Sequence, residues 1–189
     1  MKKILTKEEI EQKEKRNKIL LGVALIFLMV ISTIGYALFS SEKNEISKIN
    51  YNNFEFVFQK DGFWHTEISG YDFYFVHNPK ETENITSFIA LDLRDYINKP
   101  LYFSHDSNKE GVDEIVRNLG RFVLRTQFVC LDDCEEDFPI KNCSDNIILI
   151  RDANISLIKQ EDNCVYILSN AGETLKASDA FIFKILGIQ

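Results

Sequence analysis

Residues 19 to 39 read ILLGVALIFLMVISTIGYALF, 21 positions without a charge. As an α-helix such a run reaches about 31 Å, close to the ~30 Å hydrocarbon core of a bilayer. In lipid the backbone must satisfy its own amides, so helix is the conformation this run can take there. Tyr36 and Phe39 lie near its outer end, where aromatic rings favour the interface. A cleaved signal peptide is the rival reading. Its apolar region runs only ~7–15 residues and ends in small residues, whereas here bulky Phe39 stands at the candidate exit. The run therefore predicts an uncleaved transmembrane helix in contact with membrane lipid.

Flanking charge sets the orientation. Seven cations (Lys2, Lys3, Lys7, Lys13, Lys15, Arg16, Lys18) precede the run, and only Lys43 and Lys48 follow within ten residues. The positive-inside bias places the amino terminus in the cytoplasm and the rest of the chain outside. Thr6 through Glu9 fits a capping box, and the pairs Glu9–Lys13 and Glu11–Lys15 support a helical tail. The chain thus divides into a basic cytoplasmic tail (1–18), a transmembrane helix (19–39), a polar linker (40–50) and an extracytoplasmic domain (51–189). From residue 41 onward 15 cations face 25 acids, a net charge of −10. A domain that acidic is repelled by phosphate backbones, so nucleic acid is not an expected partner.

The four cysteines, Cys130, Cys134, Cys143 and Cys164, all fall on the side predicted to be oxidising. An even count within 35 residues predicts two disulfides, with three connectivities open. Cys134–Cys143 and Cys130–Cys164 is the expected pairing. A four-cysteine zinc site competes, but only Cys130-x3-Cys134 has the tight spacing such sites use. A redox site would want Cys-x-x-Cys at a helix amino end, and here the pair follows a predicted helix among acids.

Aromatic alternation opens the outer domain. Phe54, Phe56 and Phe58 recur with period two, Asp61-Gly62 and Ser69-Gly70 mark turns, and Tyr71, Phe73 and Phe75 alternate again. This predicts a three-strand meander holding ten of the chain's 23 aromatics and ending at His77-Asn78-Pro79. One face carries these six rings as core. The opposite face, Val57, Trp64, Tyr74 and Val76, is buried if the remaining chain covers it and a binding surface if not.

Further strands are expected at Ile85–Leu93 and Leu101–Ser104. A capping box at Ser107–Glu110 then opens a helix over Lys109–Phe128, with Glu114, Arg117, Asn118, Arg121 and Arg125 on its polar face. Asn146–Arg151 reads as a strand, Ile155–Lys159 and Cys164–Ser169 as a hairpin, and Thr174–Leu186 as a last helix. The strand near Leu101, the long helix and the strand at Asn146 form a candidate right-handed crossover. The expected fold is α+β: an N-terminal transmembrane helix, then a two-layer domain with a mixed or mainly antiparallel sheet and both helices on one face.

Several strings occur together: Arg117 to Arg125 (RNLGRFVLR), the run from Cys130 to Cys143, Asp145-Asn146-Ile147-Ile148, Asp162-Asn163-Cys164-Val165, and the ending Ala180 to Ile188 (AFIFKILGI). In these the chain resembles a group of uncharacterised single-pass membrane proteins of archaea, over roughly residues 50 to 188. The resemblance implies an envelope setting and carries no activity, fold or cofactor.

No Gly-x-Ser-x-Gly, Walker loop, His-Glu-x-x-His or dinucleotide fingerprint occurs. His105-Asp106-Ser107 is contiguous, and reads as a turn with Ser107 capping the helix that follows rather than as a triad. The acids Asp132, Asp133, Glu135, Glu136 and Asp137 lack the spacing of a calcium loop and read as a solvated, cross-linked loop. Asn84, Asn142 and Asn154 head glycosylation sequons compatible with an outer location. The sequence therefore points to a non-catalytic binding module of the cell envelope, with a protein or glycan partner and no cofactor or metal. A hydrolase assembled only in three dimensions from His65, His77 or His105, and a metal or thiol-redox module of the four cysteines, are the alternatives.

Overall fold

The computed structural model describes residues 7–39, 47–132, 134, 135 and 137–189, with side chains of the first helix described over 15–32. The chain forms two compact units, residues 1–45 and 46–189.

The first unit holds helix α1, Lys7–Phe39. The tail and the apolar run are thus one continuous helix, as the tail's charge pattern predicts. Thr6 and the side chains of the expected tail pairs Glu9–Lys13 and Glu11–Lys15 involve positions outside the described residues. Ile19, Leu20, Leu21 and Val23, then Leu25 through Ile31, are all exposed, so apolar groups surround the helix axis. Among the described residues no helix is long and apolar enough to cross a membrane. The described side chains include Lys15, Arg16 and Lys18, and those of positions 33–39, the last third of the expected span, lie outside them.

The second unit opens with an antiparallel sheet in the order β1 (Lys48–Tyr51), β2 (Phe54–Phe58), β3 (Trp64–Ile68), β4 (Tyr71–Phe75). The meander is as expected, with β1 added at the end of the supposed linker. Asn52 and Asn53, at φ 46° and 69°, form the two-residue turn that joins β1 to β2. Asn tolerates this left-handed region, which is the local signal that announced the extra strand. Phe56, Phe73 and Phe75 are buried, and Trp64 pairs with Phe75 on that same core side. Val57, His65 and Tyr74 form a cross-strand row on the opposite face. Trp64 is therefore separated from Val57 and Tyr74, because register places it one position from His65.

After β4, Asn78 caps the short helix α2 (Pro79–Thr82) in a capping box with Glu81. The expected strand at Ile85–Leu93 shrinks to β5, Thr86–Phe88, and a 3-10 turn occupies Leu93–Asp95, where Asp92 accepts from the Arg94 amide. Next come β6 (Pro100–Ser104), α3 (Lys109–Leu119), β7 (Arg125–Val129), β8 (Ile147–Asp152), β9 (Leu157–Glu161), β10 (Cys164–Ser169) and α4 (Thr174–Ile185). The long helix expected to Phe128 thus stops at Leu119. Its last carbonyls are met by Gly120 and Phe122, and Arg125–Val129 leaves to pair in parallel with β6. The cap is Asn108, whose side chain accepts from the Glu110 and Gly111 amides. Ser107, the expected cap, instead accepts from the Ile150 amide on β8.

The second sheet is mixed, in the order β5-β9-β10-β8-β6-β7. Only β9 and β10 are antiparallel. The crossover from β6 through α3 closes on β7, and β8 lies on the other side of β6. Two sheets rather than one, with α3 and α4 packed between them, replace the expected two layers. Phe183 of α4 touches Phe56 and Phe75 of the meander, and Phe181 touches Tyr96. Ile148, Ile150, Val165 and Ile167 face this shared core. Their neighbours Ile147, Leu149 and Cys164 form a second buried cluster on the far face with Tyr102 and Val129. Burial on both faces explains why β8 reads as a continuous apolar run rather than an alternation.

Gly111 marks a close approach of α3 to α4 and β8. A β-carbon there would stand 2.8 Å from Ser178 Oγ, 2.9 Å from Thr174 Cγ2 and 3.0 Å from Ile150 Cδ1. Gly111→Val is expected to destabilise the domain by about 1–3 kcal/mol despite the better helix propensity of valine. A urea titration followed by tryptophan fluorescence measures it, and an unchanged midpoint would mean that α3 and α4 can separate freely.

Candidate functional site

Chemistry-bearing groups collect in three places. The first is the junction of β4, α3 and α4. Tyr74 presents its amide and carbonyl away from β3, and Asn118 answers both: the Tyr74 N–H donates to Asn118 Oδ1 at 2.9 Å, and Asn118 Nδ2 donates to the Tyr74 carbonyl at 2.8 Å. Three residues on, the His77 N–H donates to Asp179 Oδ2 at 2.8 Å, and His77 Nδ1 lies 3.1 Å from the same oxygen. Arg117 donates to Glu114 at 2.6 Å and stacks 4.6 Å from the Phe63 ring centre.

Glu114 and Asn118, expected on a solvated helix face, are buried, because the meander covers that face. Asp179 is buried with them. It falls on the helical stripe of Leu175 and Ile182, which was the one sequence signal for it. The Glu114 and Asp179 carboxyls contact one another, and burial pushes each up to about 8. Asp179 Oδ1 has no donor among the described residues, so a proton carried by Glu114 is the group that fits it. Burial also lowers the His77 pKa. A hydrolase would need a nucleophile at this histidine. Its hydrogen-bond partner is Asp179, and no serine hydroxyl is bonded to it among the described residues. His65 bonds Asp72 at 2.7 Å at the exposed end of the meander. The histidines do not converge.

The second place is the carboxyl-end rim of the mixed sheet. Ser104 pairs with Val129, so His105 and Cys130 follow as neighbours, and the His105 N–H donates to the Val129 carbonyl at 2.9 Å. Asp106 accepts from Ser104 and pairs with Arg151 at 2.7 Å. The disulfides are Cys130–Cys134 and Cys143–Cys164, with Cα separations of 6.1 and 4.9 Å. This overturns the expected pairing. Cys164 opens β10 and Cys130 follows β7, three strand spacings away in the order β10-β8-β6-β7. That is about 14 Å, twice the reach of a disulfide. Asp133 and Glu136, two of the five clustered acids, lie outside the described residues.

The third place is the outer edge of β7, the last strand of its sheet. Here the chain has begun a further pairing of its own. Cys130 bridges Ile140 in parallel: the Cys130 N–H donates to the Pro139 carbonyl at 3.1 Å, and the Lys141 N–H donates to the Cys130 carbonyl at 2.8 Å. Strand alternation then turns the peptide groups of Phe128 and Thr126 the same way. Beside them lies a cleft of about 330 Å³ lined by Phe103, Val112, Val116 and Phe128, with Lys109 and Asp113 at its border. Sequence reasoning missed this site because it counted β7 as helix.

Of the expected binding-surface residues, Val57, Tyr74 and Val76 are half-buried, and Trp64 packs on the core. No family model matches the chain, and no curated protein or solved structure matches it.

The carboxyl pair generates a pH dependence. Both groups bind protons more tightly folded than unfolded, so their contribution is complete below about pH 4 and is lost as pH rises through the folded value near 8. His77, with its pKa lowered, adds an opposite slope only on the acid side of about 6.5. Stability is therefore expected to fall from about pH 6.5, where His77 no longer opposes it, to about pH 8 and to level off above, and Asp179→Asn to flatten that fall. Denaturant midpoints across the range check it, and a wild-type midpoint that rises between about pH 6.5 and 8 contradicts the shared proton.

Proposed function

We propose that the chain is a membrane-tethered domain outside the cytoplasm that binds an extended peptide segment of an envelope protein, adding it as a further strand on β7. The bridge from Cys130 to Ile140 carries this reading. Among the described residues it is a one-residue start of parallel pairing on the edge where Thr126 and Phe128 turn outward. A guest strand laid there would hydrogen-bond through its main chain, and every second side chain would enter the cleft over Phe103, Val112, Val116 and Phe128. Main-chain pairing would supply affinity and the apolar cleft would select side chains.

Membrane tethering rests on the uncharged run at 19–39, on the cations that precede it and on a helix with apolar groups on all sides, which lipid solvates better than water. Two disulfides that use all four cysteines favour an oxidising compartment. The resemblance to archaeal single-pass membrane proteins fits the same setting. No cofactor enters this reading.

Selection from a displayed random-peptide library against the detergent-solubilised full chain is the test. Retrieved peptides are expected to alternate apolar residues. Thr126→Pro is expected to weaken them about tenfold, because it deletes one outward N–H worth about 1–1.5 kcal/mol. Proline is tolerated on an edge strand whose N–H faces out, so the fold survives. Peptides that bind Thr126→Pro as tightly as wild type would place the binding surface elsewhere.

The topology has its own test. Protease added to sealed cells is expected to remove residues 46–189 without lysis. Digestion only after lysis would put the domain in the cytoplasm.

A further inference from the structure

The rim holds one group of side chains that strand pairing does not use. His105, Cys130 and Cys134 each offer a ligand atom, and these atoms all lie within 4.8 Å of one another. His105 and Cys130 are brought together by register, since the residues before them, Ser104 and Val129, are partners on β6 and β7. Cys134 returns to Cys130 across three residues, a spacing within the range by which zinc ligands are paired. Cys130 is buried, while His105 and Cys134 are half-buried, so the group has a dry floor and an open side.

We propose that His105, Cys130 and Cys134 form a redox-gated site for Zn²⁺, closed while the Cys130–Cys134 disulfide stands and formed when a dithiol reductant opens it. In the first step the donor's two thiols become a disulfide, and the protein disulfide takes the two electrons and two protons to become two thiols. In the second step Zn²⁺ displaces one proton from each thiol and takes a lone pair of the His105 imidazole. Two protons are released per ion bound. A fourth position stays open to water, the pattern of zinc sites with three protein ligands. Zn–S bonds of ~2.3 Å and Zn–N bonds of ~2.1 Å separate tetrahedral donors by roughly 3.5–3.8 Å. Ligand atoms already within 4.8 Å reach that spacing by small rotamer changes.

Three observations set this pair apart from Cys143–Cys164. No second group of three candidate ligands lies so close among the described residues, so the other pair lacks the imidazole. Cys130–Cys134 closes a loop with a sequence separation of 4, against 21 for the other. In the chain-entropy model the shorter loop contributes less than the longer, so opening the rim pair costs the fold less. The rim also stands at the carboxyl ends of the parallel strands β6 and β7, beside the β6–β8 gap where the sheet order turns back. The local field suits a cation. Asp132, Glu135 and Asp137 share the Cys134 loop, and the nearby Arg151 is already paired with Asp106.

The test uses the full chain in detergent, opened with a water-soluble phosphine, which gains the oxygen of a water molecule as the disulfide becomes two thiols. Zn²⁺ is then titrated against a chromophoric chelator with proton release followed in parallel, and Co²⁺ serves as spectroscopic probe. The oxidised chain is expected to bind no Zn²⁺. The reduced chain is expected to bind one ion with two protons released, and its Co²⁺ form to show thiolate charge transfer. His105→Ala and Cys134→Ser should each weaken binding about 100-fold or more, while Cys143→Ser should leave it unchanged. Equal uptake by His105→Ala, or loss in Cys143→Ser alone, overturns the assignment. So does a reduced chain that stays folded by near-ultraviolet circular dichroism yet takes up nothing. Loss of the fold on reduction overturns it as well, because the gate could not then operate.

Discussion

The free edge of β4 is the constraint around which the second unit is built. A strand edge turned into the interior must find partners for its amides and carbonyls. Asn118 on α3 supplies a donor and an acceptor to Tyr74, and Asp179 on α4 accepts from His77. Two helices thus stand where a fifth strand would otherwise be. Aromatic contacts such as Phe75 with Phe183 hold the meander against α4 but tolerate sliding. Hydrogen bonds to side chains of fixed position do not, so the polar cluster sets the register between meander and helices. It brings two acids into the interior, where a shared proton keeps them from both carrying charge.

The mixed sheet meets the complementary problem, a second apolar face to be buried. The chain between β7 and β8 covers it. Leu131 and Cys143 pack on Tyr102, Leu149 and Tyr166, and the Cys143–Cys164 disulfide fixes that covering to the first residue of β10. Lys141 and Lys159 lay their ammonium groups over Tyr102 and Tyr166, so the rings keep a polar boundary with water. Among the described residues the covering pairs with β7 at Cys130, the Phe138 ring lies beside Phe128, and Thr126 and Phe128 line an apolar cleft.

Where the sequence carried a repeating local pattern, it was legible. The Phe54–Phe58 and Tyr71–Phe75 alternations, the Ser69-Gly70 turn, the β9–β10 hairpin and the start of α4 are all found. It misled where two patterns overlap. Phe122 and Val123 continue the helical spacing of Val112 and Ile115, so β7 was hidden inside an apparent helix; backbone pairing with β6 decided otherwise. Ser107 and Asn108 are both good caps, and only the nearness of β8 took Ser107 away. Glu114 and Asn118 looked solvated because nothing local announces that the meander will lie over them.

By itself the sequence determined the uncharged run at 19–39, the asymmetry of charge around it, the even cysteine count and the alternating aromatics. These are properties of neighbouring residues, and periodicity and charge balance can be read along a line. Tertiary structure alone decided that two sheets sandwich α3 and α4, which cysteines meet, and that Glu114 shares a buried pocket with Asp179, 65 positions away. Each of these depends on strand order. Order is fixed by how far apart elements come to rest once both faces of a sheet are covered, a distance that no local spacing encodes.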